Sequence, residues 1–183
     1  MNSDLLPHFF RHVGLLLDYP DSRLLDTAHE SALLLEGEDM EASEQIKKFV
    51  KFVEDTSPGR LEEIYTGTFD VNPACYIYAG YLLFGEGFKR GKFMVRLKEK
   101  FREHEFPIGN ELPDHVPLLF RFLAELDGDE ILTHQLVEEC LHPVVQKMIA
   151  ALANEDGNPN PYAHVLTAIQ IVFQRQTEPV HIV

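Results

Sequence analysis

Near the middle of the chain Glu111, Leu112, Pro113, Asp114 and His115 follow one another without a break. A carboxylate beside an imidazole after a proline corner can do two things. Asp114 can accept a backbone N–H two or three residues on and so cap a helix, a contribution of about 1 kcal/mol, with Pro113 fixing the entering chain. It can equally take a guanidinium in two parallel hydrogen bonds, with His115 orienting it or accepting from peptide N–H groups. The first role is structural and the second is that of a site for a cationic peptide. The residues are compatible with both.

Nine histidines raise the question of a metal. Glu139 and His142 have the Glu-x-x-His spacing that sets two ligands on one helical face, but dimetal sites take that motif from two helices and no second copy is present. His104, His115, His134 and His164 fall on separate elements. A metal-dependent helical hydrolase is therefore kept only as an alternative. Asp114-His115 inverts the His-Asp order of phosphohydrolases. No phosphate-cradling glycine loop, Gly-x-Ser-x-Gly elbow or dinucleotide fingerprint occurs. No catalytic residue is assigned, no metal is expected, and the chain is not expected to be an enzyme. Tyr65 and Phe69, one turn apart beside Glu62, read first as core packing by their spacing.

Charge is the other feature with a direction. Seven of the sixteen basic residues lie within 89–102, opposed there only by Glu99, in a chain of net charge -14. Outside that stretch nine basic residues face twenty-nine acidic ones. Such a chain repels nucleic acid and anionic lipid and attracts cationic partners. The plain alternative is that net acidity keeps the protein soluble.

The elements that must position these residues read as helices throughout. Leu5, Leu6, Phe9, Phe10, Val13, Leu16 and Leu17 recur with helical spacing, between Ser3 as N-cap and Pro20 as stop. Pro20-Asp21 restarts the chain into a second helix ending at Gly37, and an acidic turn precedes a third carrying Ile46, Phe49, Val50 and Val53. Ser57-Pro58, Asn72-Pro73 and Asn160-Pro161 each place a capping side chain before a proline at the first helical position. They predict helices over 58–69, 73–84 and 161–174. Gly85 and Gly87 set off the basic helix, 88–104, whose buried stripe is expected to be Phe88, Phe93, Leu97 and Phe101, with Lys92, Lys98 and Arg102 toward solvent. Asp114 is expected to open a helix through Leu126. Asp129 opens another that Pro143 must kink or break. The expectation is an all-α, single-domain bundle of roughly nine helices over 1–174, with a frayed tail over 175–183 and no sheet.

At 183 residues and 45% hydrophobic, with thirteen Phe, the chain can bury a core without staples. Cys75 and Cys140 form no CxxC pair and are expected to be buried thiols in a reducing compartment. The N-terminus lacks a basic lead-in and a small-residue cleavage site, so it does not read as an export signal. No apolar run approaches the roughly 20 residues of a membrane span.

The ordered set YAGYLLFGEGFKRGKFMVRL and NELPDHVPLLFRFLAEL, with LLLDYPD, IYTGTFD and PYAHVLTAI around it, resembles the delta-subunit (NarJ) family of nitrate reductase assembly chaperones. That family is part of the redox-enzyme maturation group with TorD and DmsD. The resemblance covers most of the chain. It implies a TorD-like all-α cytoplasmic chaperone that binds the basic N-terminal leader of a molybdoenzyme's catalytic subunit, and holds it while the molybdenum cofactor is inserted. The client would be a respiratory nitrate reductase, or a related enzyme acting on selenate, chlorate, perchlorate or hydrocarbons. No cofactor would be held permanently by the chaperone itself. The motif carries over onto Glu111, Leu112, Pro113, Asp114 and His115, with Asp114 and His115 as leading peptide contacts. Tyr65 and Phe69 match the family's aromatic pair, and Arg90-Gly91 its Arg-Gly step. The resemblance is compatible with a monomer or a helix-exchanged homo-oligomer. The chain ends at Val183, whereas some members continue into a long C-terminal extension. An adaptor using the same groove on another helix is a further reading.

Overall fold

The computed structural model describes residues 4–71, 73–126, 128–153 and 160–177. Their helices are α1 (Leu6–Leu16), α2 (Leu24–Glu36), α3 (Met40–Glu54), α4 (Pro58–Phe69), α5 (Ala79–Phe84), α6 (Phe88–Glu103), α7 (Val116–Leu123), α8 (Glu130–His134), α9 (His142–Leu152) and α10 (Tyr162–Thr177). A π-helical stretch, Gln135–Leu141, joins α8 to α9 in one continuous rod. Nine rods result among the described residues, and the fold is all-α, as expected. The only β pairing among them is one isolated bridge between Tyr78 and His115.

Local chemistry explains the ends that hold. Asp39 accepts from the Ala42 backbone N–H at 3.0 Å and caps α3. Asp129 does the same for α8 through Leu132 at 2.9 Å. Pro58 sits in the first turn of α4, where its missing N–H costs nothing. Gly85 (φ +69°) and Gly87 (φ +133°) break α5 from α6 in conformations that side chains rarely adopt.

Several expected ends move. The stop for α1 comes at Leu16, before Pro20, and α2 begins at Leu24 because Asp21 turns back onto Arg23, accepting its backbone N–H at 2.8 Å. Residues 73–78 are not helical: the Val116 N–H donates to the Ile77 carbonyl and the Ala79 N–H to the Asp114 carbonyl, so the chain arrives extended and α5 keeps only its last turns. Asp114 does not open α7. His115 stands at its N-cap, and α7 ends at Leu123 rather than Leu126. Residues 175–177 continue α10 instead of fraying, whereas 178–183, Ser3 and Asn72 lie outside the described residues. Pro143 does not end its helix. The π turn before it widens the spiral where the proline ring would meet the preceding turn, and Pro143 enters α9 within its first turn.

The core has three aromatic centres. Phe10, Phe120 and Phe173 join α1, α7 and α10, with Phe120 stacked on Phe173. Tyr65, Phe69 and Tyr162 tie α4 to α10. Phe101, Phe106 and Phe122 lock α6 and its following loop onto α7. Phe88 departs from the expected stripe: it is 78% exposed, while Leu97 and Phe101 are buried. Both cysteines are buried, and burial pushes each thiol up to about 12. Among the described residues no helix is long and apolar enough to cross a membrane.

Candidate functional site

Gly80, on α5, is the starting point of the site because nothing larger fits there. A Cβ would stand 2.7 Å from Asp114 Oδ2 and 3.0 Å from Arg90 Cγ. The close approach lets α5 lie over a buried ion pair. Arg90 Nε donates to Asp114 Oδ2 at 2.8 Å, and its Nη2 reaches Oδ1 at 3.4 Å. On the outside Arg90 also binds Glu86, and its guanidinium lies over the rings of Tyr78 and Tyr81.

Asp114 is fully buried. Its carboxylate neither caps α7 nor faces solvent, so the guanidinium it was expected to take from a peptide is already supplied by Arg90. His115 is also buried, and Pro113 beside it. The His115 Nδ1 has no hydrogen-bond partner and stands 3.9 Å from Glu111 Oε2, too far for one. Burial lowers the pKa of this imidazole against the raising effect of Glu111, so it is neutral near neutrality. Glu111 alone of the motif's charged groups is exposed, at 51%.

Glu111 forms part of the rim of a cleft of about 660 Å³ between α1, α7 and the loop at 106–111. Leu15, Phe106, Pro107, Ile108 and Leu118 supply its apolar walls. Asp18, Glu111 and Glu125 supply negative charge. Two arginines of the chain cross it: Arg11 pairs with Glu125 at 2.8 Å and Arg121 with Asp18 at 3.4 Å. A narrower hollow of about 210 Å³ shares Leu15, Asp18 and Arg121 and continues the cleft toward Asp21. Gly14 lets α1 close on α7 at this point, since a Cβ there would stand 2.6 Å from Arg121 Cγ.

Tyr65 and Phe69 are buried, but they bear on the same cleft indirectly. The Tyr65 hydroxyl donates to the Leu17 carbonyl at 3.4 Å and its ring meets Tyr19 edge-on, which fixes the segment carrying Asp18. Sequence reasoning missed Arg11, Asp18, Arg121 and Glu125. The spacing 11, 15, 18 on one side and 118, 121, 125 on the other was the available signal, since each set lies along one helical face.

The Glu-x-x-His candidate does not assemble. Through the π turn His142 pairs with Glu138, Nδ1 to Oε2 at 3.8 Å, rather than with Glu139. Among the described residues no group of three or more His, Cys, Asp or Glu side chains could hold a metal ion. A hollow of about 680 Å³ around Asp129, His134 and Glu138 contains none of the motif residues.

The all-α fold has a counterpart among solved structures. A candidate redox enzyme maturation protein from Archaeoglobus fulgidus has the same fold, with a TM-score of 0.62 and 19% identity over 95% of this chain and 96% of that one. Residues 35–159 match the nitrate reductase delta subunit family, and a full-length relative agrees: the Bacillus subtilis protein named "Probable nitrate reductase molybdenum cofactor assembly chaperone NarJ" is 30% identical over 161 residues, 87% of this chain and 86% of that one. The chain belongs to the nitrate reductase delta subunit family. The Escherichia coli K12 protein named nitrate reductase molybdenum cofactor assembly chaperone NarJ is 29% identical over 127 residues, 64% of this chain and 52% of its own length. Both of these relatives are named as chaperones of assembly, not as catalysts, and that is the class of this chain.

Proposed function

We propose that this chaperone captures the basic N-terminal leader of a molybdoenzyme catalytic subunit, a respiratory nitrate reductase, in the cleft between α1, α7 and the 106–111 loop. It would act in the cytoplasm and hold the subunit while the client's molybdenum cofactor is inserted. The observation that carries the reading is the pairing of apolar walls with Asp18, Glu111 and Glu125 in one open cleft. A leader with arginines beside an apolar stretch needs that combination.

In this reading Glu111 touches the guest, and the other motif residues hold Glu111 and Asp18 in place. Arg90 and Asp114 anchor the corner at Pro113, His115 starts α7, and Tyr65 with Phe69 fixes the segment at Asp18. Ordering a disordered leader costs a few kcal/mol, which sets the affinity near micromolar and suits a client that must leave.

Calorimetry with the synthetic leader from the adjacent molybdoenzyme tests the proposal. Replacing its arginines with glutamine should weaken binding about tenfold or more, and binding indifferent to that change overturns it. Glu111→Gln should weaken the leader several-fold with an unchanged unfolding midpoint, because the Glu111 carboxylate is half exposed and stands 3.9 Å from His115, too far for a hydrogen bond. Leaders of selenate-, chlorate-, perchlorate- or hydrocarbon-acting enzymes in the same assay identify the client class.

A further inference from the structure

The basic helix α6 takes no part in the cleft described above, and its outer face has the wrong sign for a cationic leader. Among the described residues Lys89, Lys92, Arg96, Lys98 and Arg102 make no ion pair; on this helix only Arg90 and Lys100 do. Elsewhere the chain neutralises most of its cations: Arg11, Arg23, Lys47, Arg60, Arg121 and Arg175 are all paired with carboxylates. A protein with so large an acidic surplus nevertheless leaves five cations together on one helix.

The same face carries apolar surface. Phe88 is 78% exposed and Val95 55% exposed. Phe88, Lys92, Val95, Glu99 and Arg102 follow at intervals of four and three residues and form one seam along the helix, apolar at Phe88 and Val95 and charged at the other three. Lys92 Nζ lies 4.6 Å from the centre of the Phe88 ring, so cation and ring form one surface. Lys89, Arg96 and Lys98 flank the seam at the positions where opposite charges on a partner helix select it.

We infer that the outer face of α6 is a second docking surface, and that its occupant is an acidic amphipathic helix of a protein partner. Charge complementarity selects the sign. Geometry separates a helix from the other polyanions. The α6 face is about 24 Å long, and an acidic helix laid along it presents its charges to that face alone. The carboxylates it meets there are Glu99 on the seam and Glu103, which Lys100 neutralises at 2.7 Å. Duplex DNA or an anionic bilayer extends past α6 and would meet the surrounding carboxylates. The inference does not depend on leader binding, whose guest carries the opposite charge.

A fluorescent synthetic helix of about 20 residues, with a leucine seam flanked by glutamates, is the probe. The full chain should bind it at low salt, and raising salt from about 50 to about 300 mM should weaken binding about tenfold. Lys92→Glu with Arg96→Glu should abolish binding, and Phe88→Ser should reduce it several-fold. All these positions are on the exposed face, so the helical signal and unfolding midpoint should not move, and leader affinity should stay within about twofold of the parent. Failure of the probe to bind, binding that survives the double reversal, or tighter binding of a DNA duplex or phosphatidylglycerol vesicles overturns the inference. The leader is titrated into the same variants, and loss of its binding in them overturns the separation of the α6 surface from the cleft.

Discussion

Removing the Asp114 carboxylate strands a guanidinium that is mostly out of water, with only Glu86 left to it. Breaking a buried pair from one side costs about 3–5 kcal/mol, and the Glu86 contact places Asp114→Ala at the low end. Gly80→Ala attacks the same pair sterically and should cost about 1–3 kcal/mol. Urea unfolding of the two single variants and the double variant should show costs that do not add, since both act on one contact. His115 gives a pH signature. Its folded pKa lies below the ordinary 6.5 because burial disfavours the cation. The unfolded chain then takes up the proton first, so stability falls as pH drops below about 6.5 and levels off beneath the folded value. His12 and His164 are shifted the same way, also by burial. His115→Asn should flatten the stability profile between pH 7 and 5, measured by denaturant titration, and His12 and His164 should account for the slope that remains.

Helix ends can be tested one at a time. Asp39 both caps α3 and binds Arg175 Nε at 3.2 Å, which ties α3 to α10. Asp39→Ala should therefore cost at least the ordinary loss of a cap, about 1 kcal/mol, and Asp39→Asn should recover the cap. Past the end of α6, Glu105 holds φ at +52° so that the Phe106 N–H can return to the Phe101 carbonyl at 2.8 Å. That position favours glycine. Glu105→Gly should raise stability by up to about 1 kcal/mol without moving the loop that forms the cleft wall. What was legible in the sequence, and what was not, follows from these same ends. The starts of α3 and α4 and the span of α6 depend on Asp39, Pro58, Gly85 and Gly87, whose effects are local. Asn72-Pro73 has an equally good helix signature, yet 73–78 is not helical, because the Ala74 and Cys75 N–H groups turn back to the Gly67 and Thr68 carbonyls and Ile77 and Ala79 bond to 114–116, nearly forty residues away. The burial of Asp114 was hidden for the same reason: it depends on Arg90 and on the missing side chain of Gly80, which only packing brings together. Pro143 was expected to kink or break its helix, and the helix runs on through it. The π turn that absorbs it has no local sequence mark.

Across the whole molecule the arrangement is one of opposed charges held apart. The net charge of -14 acts at long range on any cationic guest, so the association rate of the leader should fall steeply with added salt. Its dissociation rate should change little, because the apolar walls of the cleft are not screened. Stopped-flow measurements at several ionic strengths separate the two. An acidic probe directed at α6 should show a similar salt dependence at a different place on the surface, and the double reversal on α6 distinguishes them. The family was legible because its motif residues are contiguous. The cleft was not, because Asp18 and Glu125 are 107 residues apart in the sequence (125 against 18).

The arginines already lying across the cleft, Arg11 on Glu125 and Arg121 on Asp18, have a consequence for turnover. On the proposed reading an arriving leader would meet one open carboxylate, Glu111, and would otherwise swap with resident guanidiniums, so that one set of contacts is given up as another forms. Little heat should accompany the swap, and occupancy is capped accordingly. On withdrawal of such a client the residents would need only to rotate back, which would leave the vacant chaperone quiet toward stray cations and ready for the next subunit without any input of chemical fuel.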